Sequence, residues 1–279
     1  MVVLTLGVSF KKNRIEICLQ NYLKAYFNRG SKMNMNEELY NLYHNVNEKV
    51  YKYVTERNKN KNIRGMQSSY PLFLKLSENF IGSKNKIIIY GQETFGWHDT
   101  FSENKEYNML ENKIDGILET YQKFYNEKGY LRYYPSPFWN VFRLIENLCC
   151  ESGKTFGLLF NDITKLGLVG GGFPYNWYDD IIKPYFNELV IREIEIIKPD
   201  FLIFLTGRDN ILDDIFHDLH LQRENVDGFD QYDLCKLLVP NIKIAYRTQH
   251  PQTMYARSKN GSYKNIIFAI YHSICEKME

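Results

Sequence analysis

Apolar residues at Leu39, Leu42, Tyr43, Val46, Val50 and Val54 recur every three or four positions, which predicts an amphipathic helix. The tract from Glu56 to Arg64 is almost wholly polar and reads as an exposed loop. From about residue 84 the pattern changes. Lys86-Ile87-Ile88-Ile89-Tyr90 is a short β-branched run that ends at Gly91. A continuous apolar run of that length suits a strand buried on both faces. Gly157-Leu158-Leu159-Phe160-Asn161, Pro199 to Leu205 and Asn241 to Tyr246 give three more strands. Helical patterns over 106–127, 137–150, 185–197 and 262–276 separate or follow them.

Strands alternating with helices predict an α/β fold: a three-layer αβα arrangement around a central, mostly parallel four-stranded sheet. Residues 1–80 read as a helical N-terminal extension, and residues 81–279 as the α/β domain. In such sheets ligands bind beyond the carboxyl ends of the strands, so the chemistry is expected just after each one. There stand Gly91-Gln92-Glu93-Thr94-Phe95-Gly96, Asn161-Asp162, Thr206-Gly207-Arg208 and Arg247-Thr248-Gln249-His250-Pro251-Gln252. A carboxylate, a carboxamide and an imidazole converging on one rim suit hydrolysis of a bond whose leaving group is a heterocycle.

These segments, in this order, resemble the motifs of the uracil-DNA glycosylase superfamily over residues 84–275. Gly91-Gln92-Glu93 resembles its first motif, and Leu158 to Asn161 the strand that ends in a base-reading asparagine. His250-Pro251-Gln252-Thr253-Met254 resembles its second motif, and Pro199 to Gly207 the strand between them. The resemblance implies a DNA glycosylase, a monofunctional hydrolase of base-excision repair that leaves an abasic site. Glu93 would orient water or stabilise the cationic sugar, and His250 would hydrogen-bond the departing base. Gln92, Phe95 and Asn161 would line the base pocket. Met254 would wedge into the DNA stack, with Gln252, Arg247 and Arg257 on the DNA backbone. The chemistry fits these residue types. A carboxylate stabilises an oxocarbenium-like sugar, and a fixed donor stabilises charge on the leaving base. The base must first be rotated out of the duplex, and an apolar wedge offsets part of that cost.

The chain departs from the family at informative positions. Glu93 stands for the usual aspartate, and Thr94-Phe95 for a proline–tyrosine pair whose tyrosine excludes the thymine methyl group. Gln252 stands where a small serine is common. The expected substrate is therefore a damaged or modified base rather than ordinary uracil. Modified bacteriophage bases are included, since some members of the superfamily act in antiviral defence. No lysine occupies the Glu93 or His250 position, so no Schiff-base step is expected. The alternative is a non-catalytic DNA-binding module that keeps the fold. A third reading is a glycosidase acting on free nucleosides or nucleotides.

Each residue also has a plain structural reading. Glu93 suits the acid-favouring start of a helix, His250 a loop, Asn161 a turn and Met254 ordinary packing. Phe138 and Trp139, after Pro135-Ser136-Pro137, suit a core helix, the functional alternative being one ring stacked on a base. Gly170-Gly171-Gly172 lacks the lysine and spacing of a phosphate-binding loop.

Composition adds little to this. The net charge of +2 announces no nucleic-acid partner by itself. From Leu234 to Cys275, however, Lys236, Lys243, Arg247, Arg257, Lys259 and Lys264 occur without any Asp or Glu, a basic flank suited to phosphates. The 22 Tyr and 18 Phe serve equally as core or as stacking surface. Cys18, Cys149, Cys150, Cys235 and Cys275 form no C-x-x-C pair and have no zinc-like histidine spacing. No metal or cofactor is expected. Val2 to Val8 is too short for a membrane span and lacks the flanks of a signal peptide. The expectation is a cytoplasmic monomer whose partner is DNA, not a membrane.

Overall fold

The computed structural model describes residues 34–58, 67–95, 97, 110–133, 136–153, 155–168, 171–207, 209–257 and 263–278. Residues 35–279 form one compact unit.

The continuous apolar runs become the parallel strands at the middle of a six-stranded sheet. These are β1 (Asn85–Phe95), β2 (Phe156–Leu168), β3 (Phe201–Leu205) and β6 (Ile244–Thr248). Ile87 to Tyr90 and Phe201 to Leu205 are wholly buried, as strands covered on both faces must be. Two further strands, β4 (Gln222–Asn225) and β5 (Leu234–Leu238), pair antiparallel at one edge. The order is β2-β1-β3-β6-β5-β4. The expected four-stranded sheet is thus the parallel part of a six-stranded one. β4 reads Gln-Arg-Glu-Asn and is largely exposed. A polar edge strand carries no apolar pattern to betray it, and its charges discourage pairing with other chains.

Helices cover the sheet. α1 (Met35–Asn58) and the short α2 (Glu78–Gly82) precede β1. Between β1 and β2 lie α3 (Leu110–Tyr121) and α4 (Pro137–Glu151), the latter started by a proline in its first turn. α5 (Lys183–Ile197) joins β2 to β3 and ends at Lys198 in the left-handed conformation, just before Pro199. α6 (Asp209–Ile215) follows β3, while α7 (Pro251–Arg257) and α8 (Tyr263–Glu276) follow β6. α1 packs on α5, and α4 packs on α7 and α8.

Residues 35–80 therefore do not stand apart as an extension. Leu39, Tyr43, Val50 and Val54 belong to the core, and the Tyr43 hydroxyl donates to Glu193 of α5 at 2.8 Å. The expected loop from Glu56 begins inside α1, which runs to Asn58, and its remainder lies outside the described residues. Among the described residues no helix is long and apolar enough to cross a membrane.

Candidate active site

β1 does not turn at Gly91. It continues to Phe95, and β2 runs alongside it, with Gly91 opposite Asp162 and Glu93 opposite Thr164. On its other side β1 pairs with β3, Tyr90 opposite Phe204, and β3 pairs with β6, Phe204 opposite Arg247. Three residues further along each chain stand Glu93, Gly207 and His250. Strand order reverses direction between β1 and β3, because β1 leads outward to β2 and the chain then crosses back to β3. A crevice forms at such a switch point. Gly207 has φ +63°, and a Cβ there would lie 2.8 Å from the His250 nitrogen. Only glycine lets the two backbones approach so closely. The Gly207 N–H also donates to the Thr248 carbonyl at 3.1 Å. Glu93 thus lies beyond the last β1–β3 pair, and His250 lies against Gly207 beyond the last β3–β6 pair, both past the carboxyl ends of the central strands.

Gln92 donates its side-chain amide to the Glu93 carboxylate, which orients the acid. His250 precedes α7 and accepts at Nδ1 from the Gln252 N–H at 3.2 Å. A ring that accepts at Nδ1 carries its proton on Nε2. Its carbonyl accepts from the Thr253 and Met254 N–H groups at 2.8 and 3.0 Å, fixing the turn that presents the ring.

Asp162, which no motif singled out, also faces this rim. It is 4% exposed. A Cβ on Gly91 would meet its Oδ1 at 2.1 Å and Cε2 of Phe138 at 3.1 Å. The carboxyl therefore fills the space that a side chain at 91 would take, beside the ring. Burial raises the Asp162 carboxyl well above the usual carboxylate range; Lys165 opposes that and Glu93 adds to it. Thr164, two residues on and so on the same face, has a buried hydroxyl with no hydrogen-bond partner among the described residues. Phe138 begins α4 half-buried and meets Phe160 edge-to-face, with centroids 5.5 Å apart. The signal that could have found Asp162 is its place opposite Gly91 on an adjacent strand.

Asn161 lies one residue away and faces the opposite layer. It is wholly buried within β2, not at a strand end. Its Nδ2 donates to Oε2 of Glu193 at 2.9 Å, and its Oδ1 accepts from the Asp162 N–H at 2.9 Å and from Lys165 Nζ. Lys165 and Glu193, both inaccessible to solvent, are ion-paired at 2.6 Å. Burial lowers the Lys165 ammonium and Glu193 pulls it back. The Tyr43 hydroxyl bonds the other oxygen of Glu193 and accepts from the Leu74 N–H at 3.1 Å. The expected base reader is thus the hub of a core network tying β2 to α1 and α5.

The expected DNA contacts divide. Gln252 and Arg257 are exposed on α7, and the Arg257 guanidinium lies 5.0 Å from the centre of the Tyr232 ring. Met254 is 3% exposed and packs beneath α7, with the Thr248 hydroxyl 3.9 Å from its sulfur. It is a core residue here, not a wedge. Arg247 is 3% exposed and donates to the Tyr232 carbonyl at 2.6 Å, so it anchors a turn instead of meeting phosphate. Lys236 pairs with Glu224 at 2.8 Å and Lys243 with Asp200 at 3.2 Å, which reduces the basic flank. The Phe95 side chain, Gly96, His98, Gly170, Arg208 and Lys259 lie outside the described residues.

Among the described residues no group of three or more His, Cys, Asp or Glu is placed to hold a metal ion. No family model matches the chain, and no curated protein matches it significantly.

Proposed function

We propose that the chain is a monofunctional DNA glycosylase that hydrolyses the N-glycosidic bond of an extruded damaged or modified base. The observation that carries this reading is that Glu93 and His250 both stand just past the carboxyl ends of the central strands, with His250 accepting at Nδ1 so that Nε2 carries the donor. In the reaction the bond between C1′ and the base nitrogen breaks, and its electron pair leaves with the base. The His250 N–H stabilises the charge developing there. Glu93, held by Gln92, stabilises the cationic sugar and orients the water that adds to C1′, whose proton the carboxylate accepts. The ordered resemblance of the Gly91, Pro199 and His250 segments to the uracil-DNA glycosylase motifs supports the same reading. So does the exposure of Gln252 and Arg257 beside the His250 turn.

The test is incubation with DNAs carrying uracil, hypoxanthine and modified cytosines, and with phage DNA. Released bases are identified by mass spectrometry, and abasic sites by alkaline cleavage. Glu93→Gln and His250→Ala should each slow release by roughly 100-fold or more while DNA binding persists. DNA binding with no base released from any of these DNAs would replace the proposal with a binding module. Release from free nucleosides alone would make the protein a small-molecule glycosidase.

A further inference from the structure

We propose that the Asp162 carboxyl, laid against Gly91 beside the Phe138 ring, reads the edge of the extruded base, the task that the motif resemblance gives to Asn161. The inference rests on the glycosylase reading of this rim and identifies its recognition group.

Four observations converge. Asn161 is wholly buried and bonded to Glu193 and Lys165 on the far layer, away from a ligand at the rim. Asp162 lies on the site's own layer, with its carboxyl where a side chain at 91 would otherwise be. Thr164, on the same face of β2 and opposite Glu93, keeps a wholly buried hydroxyl with no partner among the described residues. A buried polar atom without a partner is costly, and a bound polar edge would satisfy it. Phe138 stands alongside, half-buried, as a face on which a planar heterocycle stacks.

The groups facing Asp162 set its form. Lys165 of β2 favours the anion, while Glu93 of β1 and burial disfavour it. Tyr121 of α3 is electrostatically linked to it as well, and α4 contributes the apolar Phe138 ring. With the Lys165 ammonium engaged by Glu193, burial and Glu93 shift the balance toward the carboxylic acid. A carboxylic acid offers one O–H donor and one C=O acceptor side by side, as a carboxamide does, and its proton can sit on either oxygen. It therefore fits a nucleobase edge with one donor next to one acceptor, and leaves the sugar to Glu93.

The experiment compares the protein with its Asp162→Asn and Asp162→Ala variants. The first readout, independent of activity, is the infrared carbonyl band of a protonated carboxyl at pH 7, taken alone and with free uracil, cytosine and adenine. The second is the pH profile of base release from the DNA panel. Expected are a band that Asp162→Asn removes and release that falls with rising pH in the wild type. Asp162→Asn should lose that alkaline fall, and Asp162→Ala should lose release roughly 100-fold. Absence of the band overturns the inference, and so does wild-type release by Asp162→Ala. If the wild type releases no base at all, the glycosylase reading fails and the first readout decides alone. A band moved by a free base then sustains base recognition by Asp162, and a band that none of them moves ends it.

Discussion

Replacing Asn161 with alanine separates a base-reading role from a structural one. The substitution removes a donor to Glu193, an acceptor for Lys165 and an acceptor for the Asp162 N–H. Two of these bonds involve charged groups, worth about 1.5–3 kcal/mol each, and the third about 1 kcal/mol. The Lys165–Glu193 pair stays buried with fewer partners, and an under-satisfied buried pair is costly. Tyr43 still holds one Glu193 oxygen, so the carboxylate is not left bare and the cost falls at the low end of that sum. The expected net cost is on the order of 4 kcal/mol, a large share of the 5–15 kcal/mol that stabilises typical domains. Equilibrium urea unfolding followed by circular dichroism measures it. The midpoint should fall sharply with little change in the slope, since the surface exposed on unfolding is unchanged. A variant destabilised by less than about 1 kcal/mol that nonetheless lost base release would refute this reasoning and return Asn161 to the site.

Other substitutions probe the rim directly. Gly91→Ala places a Cβ 2.1 Å from Asp162 Oδ1, so it should displace that carboxyl and cost about 1–3 kcal/mol in a thermal melt. Asp162→Asn should stabilise the fold at neutral pH. The folded carboxyl keeps its proton above the usual range, so between the unfolded pKa and the folded one the unfolded chain binds fewer protons and the wild type loses stability as pH rises. The advantage of the variant should grow by about 1.4 kcal/mol per pH unit above pH ~4 until the folded group titrates, and vanish below it; a constant difference in pH-dependent urea melts would refute it. Arg257→Ala should lower the slope of log affinity against log salt by about one phosphate contact. Arg247→Ala should instead lower stability by about 1–3 kcal/mol, since its guanidinium holds the Tyr232 carbonyl inside the fold.

How far the sequence carries is set by what each residue's pattern encodes. Ile87 to Tyr90 and Phe201 to Leu205 announce themselves because both of their faces are covered, so every position is apolar. The ends of β1 and β2 do not. Gln92, Glu93, Asn161, Asp162 and Lys165 look like loop residues, yet they lie in strands whose polar side chains meet partners in the interior. β4 is invisible for the converse reason: its side chains face solvent on an edge. The positions after Gly91 and before Pro251 are the ones strand order points to, because both follow the carboxyl ends of parallel strands. What order cannot convey is the side of the sheet. Successive residues on a strand point to opposite faces, so a shift of one position exchanges the layers. Phe160, Asp162 and Thr164 share one layer with Phe138, and Asn161 and Lys165 share the other with Glu193. A motif carries a residue type to a place in the chain, while the pleat decides whether that residue meets the crevice or the core.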